Sequence, residues 1–190
     1  MATTLRQLGA TLLLCIATAA HADTIEVQGV ELDPTEARYL LYADFGLELN
    51  ARLEEALNNG VTLNFVVEFE LTRPRWYWFD EKTALEKLEL RLSYFPLSQQ
   101  YRLSNGAQYQ SFPTLAEALR VLGRVRGWPV LERNLIENGT RYVGSVRMRL
   151  DTAQLPKPFQ VSAVTNREWS LVSEWKHFPF TPLAPVRDAR

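Results

Sequence analysis

The sequence predicts a mainly β protein, either an antiparallel β-sandwich or a strongly curved sheet with two short helices. Apolar and polar residues alternate in several short segments, as they do in strands that have one face in a core. Turn-forming Asn-Gly pairs separate some of these segments. Only two stretches combine helical spacing with good capping residues. An α+β arrangement around a single sheet is the alternative.

The first predicted elements are two strands and a short helix. Ile25 and Val27 alternate with polar neighbours, and residues 39–49 place aromatic and aliphatic side chains on one face. Asn50 is a good N-cap for the helix that follows. Gly60 ends this helix, because glycine accepts the left-handed conformation without steric cost.

The clearest strand spans residues 63–72. Its odd-numbered residues are apolar, whereas Glu68 and Glu70 point to the opposite side. This pattern predicts a strand with one face in the core and the other in water. After a turn at 80–82, alternation over 88–94 predicts a strand that returns along the first.

Two Asn-Gly pairs predict hairpins, because both residue types tolerate positive φ in tight turns. The pair at 105–106 is expected to join strands over 100–103 and 108–112. The pair at 138–139 is expected to lead into an outgoing strand over 140–150.

The second helix begins after Thr114, which can form a capping box with Glu117. Apolar residues continue at helical spacing as far as Val125, and Gly127 and Pro129 are expected to end the helix. The last predicted elements are a short helix at 159–164 and a strand at 169–175.

Residues 1–22 have the features of a cleavable signal peptide. Arg6 supplies positive charge, residues 8–20 are uncharged and mostly apolar, and residues 20–22 read Ala-His-Ala. A membrane-spanning helix needs about 20 apolar residues, so this run is too short to be an anchor. We therefore expect the processed chain to begin at Asp23.

The processed chain is expected to form one domain over residues 23–180, followed by a flexible tail at 181–190. Cys15 is the only cysteine and lies in the export segment, so disulfides and thiol chemistry are not expected in the domain. The predicted location is the periplasm, with no transmembrane segment after processing.

The composition argues against several classes of function. Lys and Arg number 21 against 22 Asp and Glu, so the basic footprint of a nucleic-acid-binding protein is missing. One cysteine and two histidines cannot supply a structural zinc site, and no metal or other cofactor is predicted. A Ser-His-Asp triad would have to use His177, which lies beside Phe178 and Pro179. No catalytic residue is assigned, and we expect the protein not to be an enzyme.

Glu68 and Glu70 are the one pair of carboxylates that suggests an enzymatic alternative. Their Cα atoms should lie about 6.6 to 7 Å apart along one strand face, and paired carboxylates at such separations hydrolyse glycosidic bonds. The simpler interpretation is that they take part in cross-strand pairing with the next strand. The residues considered for that pairing are Glu86, Glu89 and Arg91.

An unusual aromatic run follows Pro74. Trp76 and Trp78 share one face of this predicted strand at residues 75–79, and Arg73 and Arg75 flank the proline. Aromatic rings beside arginine are common at binding hot spots, so these residues are the candidate partner-binding site. The alternative is a strand that is buried on both faces. The candidates are Arg73, Arg75, Trp76 and Trp78.

Several longer motifs resemble one family, the exported bacterial proteins that contain domain of unknown function 4390. The motifs are RPRWYWF at 73–79, GRVRGWPV at 123–130, ENGTRYVGSVRMRLD at 137–151, LPKPF at 155–159 and NREWSLVSEW at 166–175. The family has no assigned activity. The resemblance implies a context, because such proteins are often encoded beside a membrane sensor histidine kinase of the nitrogen-regulation type.

These observations favour a non-enzymatic periplasmic binding or accessory module. Its expected partner is a membrane sensor kinase or another envelope protein. One alternative is a chaperone-like β-sandwich that binds extended chains along an open sheet edge. The other is a carboxylate-based hydrolase that acts on envelope glycan.

We predict that export removes residues 1–22. N-terminal sequencing of the protein recovered from the envelope should begin within a residue or two of Asp23, because the small residues before it match the cleavage pattern. Recovery of an intact chain from Met1 in the membrane fraction would contradict this prediction.

Overall fold

A computed structural model describes residues 25–74, 81–106 and 108–182. Within these residues the chain forms nine strands and three α-helices. They are β1 (Glu26–Pro34), β2 (Arg38–Gly46), α1 (Ala51–Asn58), β3 (Leu63–Arg73), β4 (Glu81–Phe95), β5 (Gln100–Asn105), β6 (Gln108–Phe112), α2 (Leu115–Leu122), β7 (Arg124–Glu132), β8 (Tyr142–Leu150), α3 (Lys157–Thr165) and β9 (Lys176–Phe180). The predicted export segment, the predicted aromatic strand at 75–79 and residues 183–190 lie outside the described residues.

The strands form two antiparallel sheets. The small sheet has the order β1-β2-β7, and the large sheet has the order β6-β5-β4-β3-β8-β9. This arrangement confirms the predicted β-sandwich class over the single-sheet alternative. The described residues contain three α-helices, one more than the two of the predicted fold, although a short third helix near its observed place was also expected.

One hydrophobic core lies between the sheets and the helices. Alternate residues of β2, from Tyr39 to Phe45, are buried in it, as the sequence predicted. Phe65 and Phe69 of β3 enter the same core and are fully buried. Burying such a side chain contributes about 1.5 to 3 kcal/mol, so β2 and β3 together account for much of the driving force.

The large sheet buries both faces of β3, and the prediction that one face meets water was wrong. The residues of β3 from Leu63 to Phe69 are all buried, including Asn64 and Glu68. The reason is the position of the strand, which is paired with β4 on one side and with β8 on the other. Long side chains from these neighbours cover the polar face of β3.

Both predicted helix caps are present. The side chain of Asn50 accepts a hydrogen bond from the Leu53 amide at 2.9 Å, and that of Thr114 accepts one from the Glu117 amide at 3.3 Å. These bonds satisfy amide groups that have no partner within the first turn of a helix.

Helix α2 ends at Leu122, before the predicted Val125, and the sequence analysis missed the strand β7 that follows. Gly127 and Pro129, which were expected to end the helix, lie inside β7 beside irregularities in its pairing with β2. Gly127 has φ of +63°, a value suited to a glycine in a β-bulge. Glycine and proline are common both after the end of a helix and at bulges in strands, so the sequence alone did not distinguish these two positions.

The first predicted hairpin is confirmed and the second is wrong. Asn105 and Gln108 form the last pair of the β5–β6 ladder, so the turn consists of residues 106 and 107. Gly106 is therefore its first residue, whereas the sequence analysis placed Gly106 second, after Asn105. Strands β7 and β8 belong to different sheets, so the turn at Gly139 carries the chain between sheets. The Gly139 amide donates to the Pro182 carbonyl at 2.9 Å.

The predicted last strand at 169–175 was also wrong. Residues Arg167–Trp169 form a 3₁₀ turn, Val172 makes a single bridge to Arg149, and the last strand is β9. Leu171 is buried by packing rather than by regular strand pairing. Helix α3 covers the short helix that was predicted at 159–164.

We predict that replacing Gly106 or Gly139 with alanine lowers the free energy of unfolding by about 1 kcal/mol each. Their φ values are +61° and +77°, a region unfavourable for residues with a Cβ atom, although no heavy atom would crowd the new methyl group. Gly29→Ala is the control, because Gly29 has no positive φ. Urea unfolding of the three variants tests this, and equal stability of all three would contradict it.

Candidate functional site

The register of the large sheet defines one broad surface, which we call the open face. It consists of the side chains of the large sheet that point away from the core. Residues directly opposite each other on antiparallel strands share a face, so the residues that face outward can be read along each row. The rows centred on β3 are Arg91–Asn64, Glu89–Val66–Arg149, Lys87–Glu68–Arg147 and Leu85–Glu70–Ser145–His177.

Glu68 is the centre of an ion cluster on this face. Its carboxylate accepts a hydrogen bond from Arg147 Nε at 2.6 Å, and Arg149 Nη2 and Lys87 Nζ lie at 3.5 and 3.6 Å. The guanidinium of Arg147 also stacks over the ring of Trp175, with 4.4 Å between the central carbon and the ring centroid. We call Glu68, Lys87, Arg147 and Arg149 the Glu68 cluster.

The cluster keeps Glu68 ionised. Burial tends to raise the pKa of this carboxyl group, since its side chain is only 7% exposed. The hydrogen bond from Arg147 and the three neighbouring positive charges outweigh burial, so the pKa of Glu68 lies below its ordinary value. An acid for glycoside cleavage needs the opposite shift.

Glu70 has a partner of its own. Its carboxylate lies 3.0 Å from Lys82 Nζ, next to the Glu68 cluster on the same face. The predicted sharing of a face by Glu68 and Glu70 is therefore confirmed. Glu68 and Glu70 do pair with β4, but their partners there are Lys87 and Lys82 and not the residues that were predicted. Arg91 pairs with Glu89 at 3.8 Å, and Glu86 lies opposite Phe69.

The structure brings His177 beside a serine that the sequence analysis did not select. Ser145 Oγ lies 2.7 Å from His177 Nδ1, across the β8–β9 pair. Ser145 is 7% exposed, and among the described residues His177 has no carboxylate partner that would complete a triad. The contact joins the edge strand β9 to its neighbour.

Arg102 occupies a different environment on the same face, in β5, the strand next to the edge strand β6. Its guanidinium lies between two aromatic rings, 4.1 Å from the centroid of Phe95 and 4.4 Å from that of Tyr109. The buried Nε atom has no hydrogen-bond acceptor. We call Phe95, Arg102 and Tyr109 the arginine stack.

Both rings of this stack are exposed, and another exposed apolar side chain follows Phe95 along the chain. Tyr109 is 65% exposed and Phe95 39%, and Leu97, in the turn between β4 and β5, is fully exposed. Large apolar groups with a central arginine are the composition of binding hot spots. The described residues thus contain one contiguous aromatic and arginine surface at the β6 end of the large sheet.

Strand β6 is an open edge beside the arginine stack. Of the four edge strands in the described part of the chain, β1 has a bulge and ends at Pro34, β7 contains Pro129 and two register shifts, and β9 contains Pro179. Such features block pairing with another chain. Strand β6 pairs regularly with β5 and has neither feature.

A cleft with a volume of about 680 Å³ lies between the end of β2 and α2. Its charged lining includes Arg120, Arg124 and an ion pair between Arg126 and Asp44. The described lining contains two carboxylates and no histidine, and of the carboxylates Asp44 is paired with Arg126 and Glu48 is exposed.

The predicted partner-binding residues are only partly described. Arg73 ends β3 and pairs with Glu137 at 3.3 Å. Arg75, Trp76 and Trp78 lie outside the described residues, so the aromatic strand stays a prediction.

The sequence analysis did not select the residues of the arginine stack. The predicted hairpin at 105–106 did contain a usable signal, because its register places Arg102 and Tyr109 close together across the two strands. Phe95 needed the tertiary structure, since its approach depends on where β4 ends.

Two absences can be stated for the described residues. No group of three or more His, Cys, Asp or Glu side chains in this part of the chain is arranged to hold a metal ion. In the same part, every helix is too short or too polar to span a membrane.

The fold and the open face define an antiparallel two-sheet β protein with a buried ion cluster and an exposed arginine–aromatic surface. A family model described as "Domain of unknown function (DUF4390)" matches residues 22–179. The chain belongs to this family, as its motifs indicated. No curated protein and no solved structure matches the chain.

We predict that Glu68→Gln lowers the free energy of unfolding by about 2 kcal/mol at neutral pH, less than for a fully buried pair because the three cations are partly exposed. The loss should shrink on acidification. A carboxylate with a lowered folded-state pKa stabilises the protein above its unfolded-state pKa of about 4.3, and this contribution is lost as the pH falls through the folded-state value.

Denaturant unfolding between neutral and acidic pH measures this effect. The control is Glu89→Gln, which removes an exposed carboxylate paired only with Arg91 and should change stability by less than about 0.5 kcal/mol. If the difference in the free energy of unfolding between wild type and Glu68→Gln stayed the same at low pH, the role of ionised Glu68 in stability would be contradicted.

Proposed function

We propose that this protein is a non-enzymatic binding module of the bacterial cell envelope, and that it adds an extended segment of a partner protein to the free edge of β6. The observation that carries the proposal is the combination of an unprotected edge strand with an exposed hot-spot surface beside it. In this mode of recognition, main-chain hydrogen bonds supply affinity and neighbouring side chains supply selectivity.

The edge of β6 has the groups that such pairing needs. Every second residue of an edge strand directs its N–H and C=O away from its neighbour. Among the described residues, β6 has no backbone hydrogen bond beyond its ladder with β5. Since the loop between the strands is closed by Asn105 and Gln108, we expect the amides of Tyr109 and Ser111 to point outward.

The state of the carboxylates also favours binding over hydrolysis. Both members of the predicted pair are engaged with cations, and the pKa of Glu68 is shifted away from that of a general acid. The glycan hydrolase is therefore the second candidate. It would gain support if the protein cleaved envelope glycan and the Glu68→Gln variant did not.

The partner that we propose is an extracytoplasmic segment of a membrane sensor kinase or of another envelope protein. Two features support a location in the envelope, namely the export pattern at residues 1–22 and the resemblance to exported bacterial proteins. An extended segment joined to a membrane protein would reach a sheet edge without the folding of a second domain.

The test uses two substitutions at one position. Ser111→Pro removes an outward amide donor, whereas Ser111→Ala removes the hydroxyl group and keeps the amide. We expect Ser111→Pro to weaken partner binding by about tenfold or more, as the loss of a main-chain hydrogen bond and the distortion of its neighbours would do. We expect Ser111→Ala to bind within about twofold of wild type.

The partner is first identified by photo-crosslinking in intact cells from position 97, with position 161 on α3 as the control, because both side chains are well exposed. Affinities are then measured with the purified partner segment, and circular dichroism verifies the folding of each variant. Equal affinities of wild type and a folded Ser111→Pro variant would overturn the proposal, as would equal crosslinking from position 161.

A further inference from the structure

We propose that Arg102 is a recognition site for a carboxylate, supplied by an acidic side chain in the segment that pairs with β6. This inference rests on the proposed function, since it names the chemistry of the bound segment. Four observations support it: the stacking of the guanidinium, its lack of a carboxylate partner among the described residues, the small uncharged side chains beside it and its distance from the edge.

Two aromatic rings contact the guanidinium of Arg102. The rings of Phe95 and Tyr109 lie 4.1 and 4.4 Å from its central carbon and come from β4 and β6, the strands on either side of β5. A guanidinium stacked on aromatic rings retains its N–H edge, which has the fork geometry of a carboxylate or phosphate group. The two ring contacts therefore restrict the orientation of the fork before any ligand arrives.

Arg102 differs from the other arginines of the open face in its partners. Arg91 pairs with Glu89, and Arg147 and Arg149 share Glu68. No carboxylate of the described residues lies within ion-pair distance of Arg102. Its Nε atom is buried without an acceptor, a condition that native proteins usually avoid. A ligand carboxylate would accept from the terminal nitrogens of the guanidinium through two parallel N–H···O contacts.

The surroundings of Arg102 suit an anion. Ser93 and Ser111 are its direct cross-strand neighbours on the same face, and neither carries a charge that would repel an anion. Both are small, and they leave the side of Arg102 that faces the edge of the sheet open. The exposed apolar side chains nearby would exclude water around a bound carboxylate, which strengthens a charged hydrogen bond.

The distance from the edge selects an extended peptide as the source of the carboxylate. Arg102 and Ser111 occupy one row, and a residue added beside β6 would continue that row. Strands lie about 4.8 Å apart, so the added residue would be roughly 10 Å from the Arg102 backbone. An arginine and a glutamate side chain together span that distance. A glycan acid lacks the backbone that would place it in this row.

The experiment uses two synthetic extended peptides that alternate Thr and Val and differ only in a central Glu or Gln. Nuclear magnetic resonance follows the Nε–H signal of Arg102, which the two rings should displace from the other arginine signals. We expect saturable displacement by the Glu peptide and about tenfold weaker binding of the Gln peptide, the ratio expected for one charge-assisted hydrogen-bond pair.

Substitutions test whether the preference for the Glu peptide depends on the arginine stack. Arg102→Lys keeps the charge but loses the planar fork, so the preference for Glu over Gln should disappear. Tyr109→Leu removes one ring and should weaken Glu-peptide binding without the loss of a charge. Arg52→Lys on α1 is the control, because it makes the same exchange at an arginine that pairs with Glu55 and Glu168 and is not part of the arginine stack, so it should retain the preference. Circular dichroism again verifies folding.

The outcomes separate the two proposals. Equal binding of the Glu and Gln peptides would overturn the carboxylate site and leave edge pairing intact. Preferential binding of the Glu peptide that survives in Ser111→Pro would support the site at Arg102 and overturn edge pairing. Binding of an oligouronide in place of either peptide, or binding of neither, would overturn the assignment to an acidic peptide.

Discussion

The structure depends on the burial of β3 from both sides. On the core side this strand contributes Phe65 and Phe69, which are fully enclosed. On the other side it places Glu68 under neighbouring side chains, and a buried carboxylate is tolerated only when cations and hydrogen bonds compensate for lost hydration. The strands on either side of β3 therefore carry Lys87, Arg147 and Arg149, and the pairing of β3 with β4 and β8 brings all three to one acid.

This requirement divides the open face into two parts with different properties. Near β3 the charges neutralise one another, and the surface is closed by contacts among its own side chains. Near β5 and β6, Arg102 has aromatic neighbours and no acid within reach among the described residues. The first part stabilises the sheet, and the second part has unused hydrogen-bonding capacity. Unused hydrogen-bonding capacity of this kind is what a binding surface offers to a partner.

A comparison of the edge strands also points to the β6 end of the large sheet. Each of the edge strands β1, β7 and β9 contains a proline, and β1 and β7 also have register shifts. Prolines and bulges are usual means by which β proteins prevent association through their edges. Strand β6 is short but regular, and it adjoins the exposed surface formed by Leu97 and Tyr109. An edge left unprotected beside a hot-spot surface is consistent with the selective addition of one partner strand.

The sequence by itself determined the β class, the strands β2, β3 and β4, the hairpin at Gly106 and both helix caps, because each depends on periodicity or on contacts within a few residues. Only the tertiary structure decided which strands became neighbours. That choice buried Glu68, sent the turn at Gly139 between sheets and turned the segment after α2 into β7. It also brought Phe95 to Arg102 across strands. Long-range pairing selects partners by packing over a whole sheet, and no local pattern records that selection.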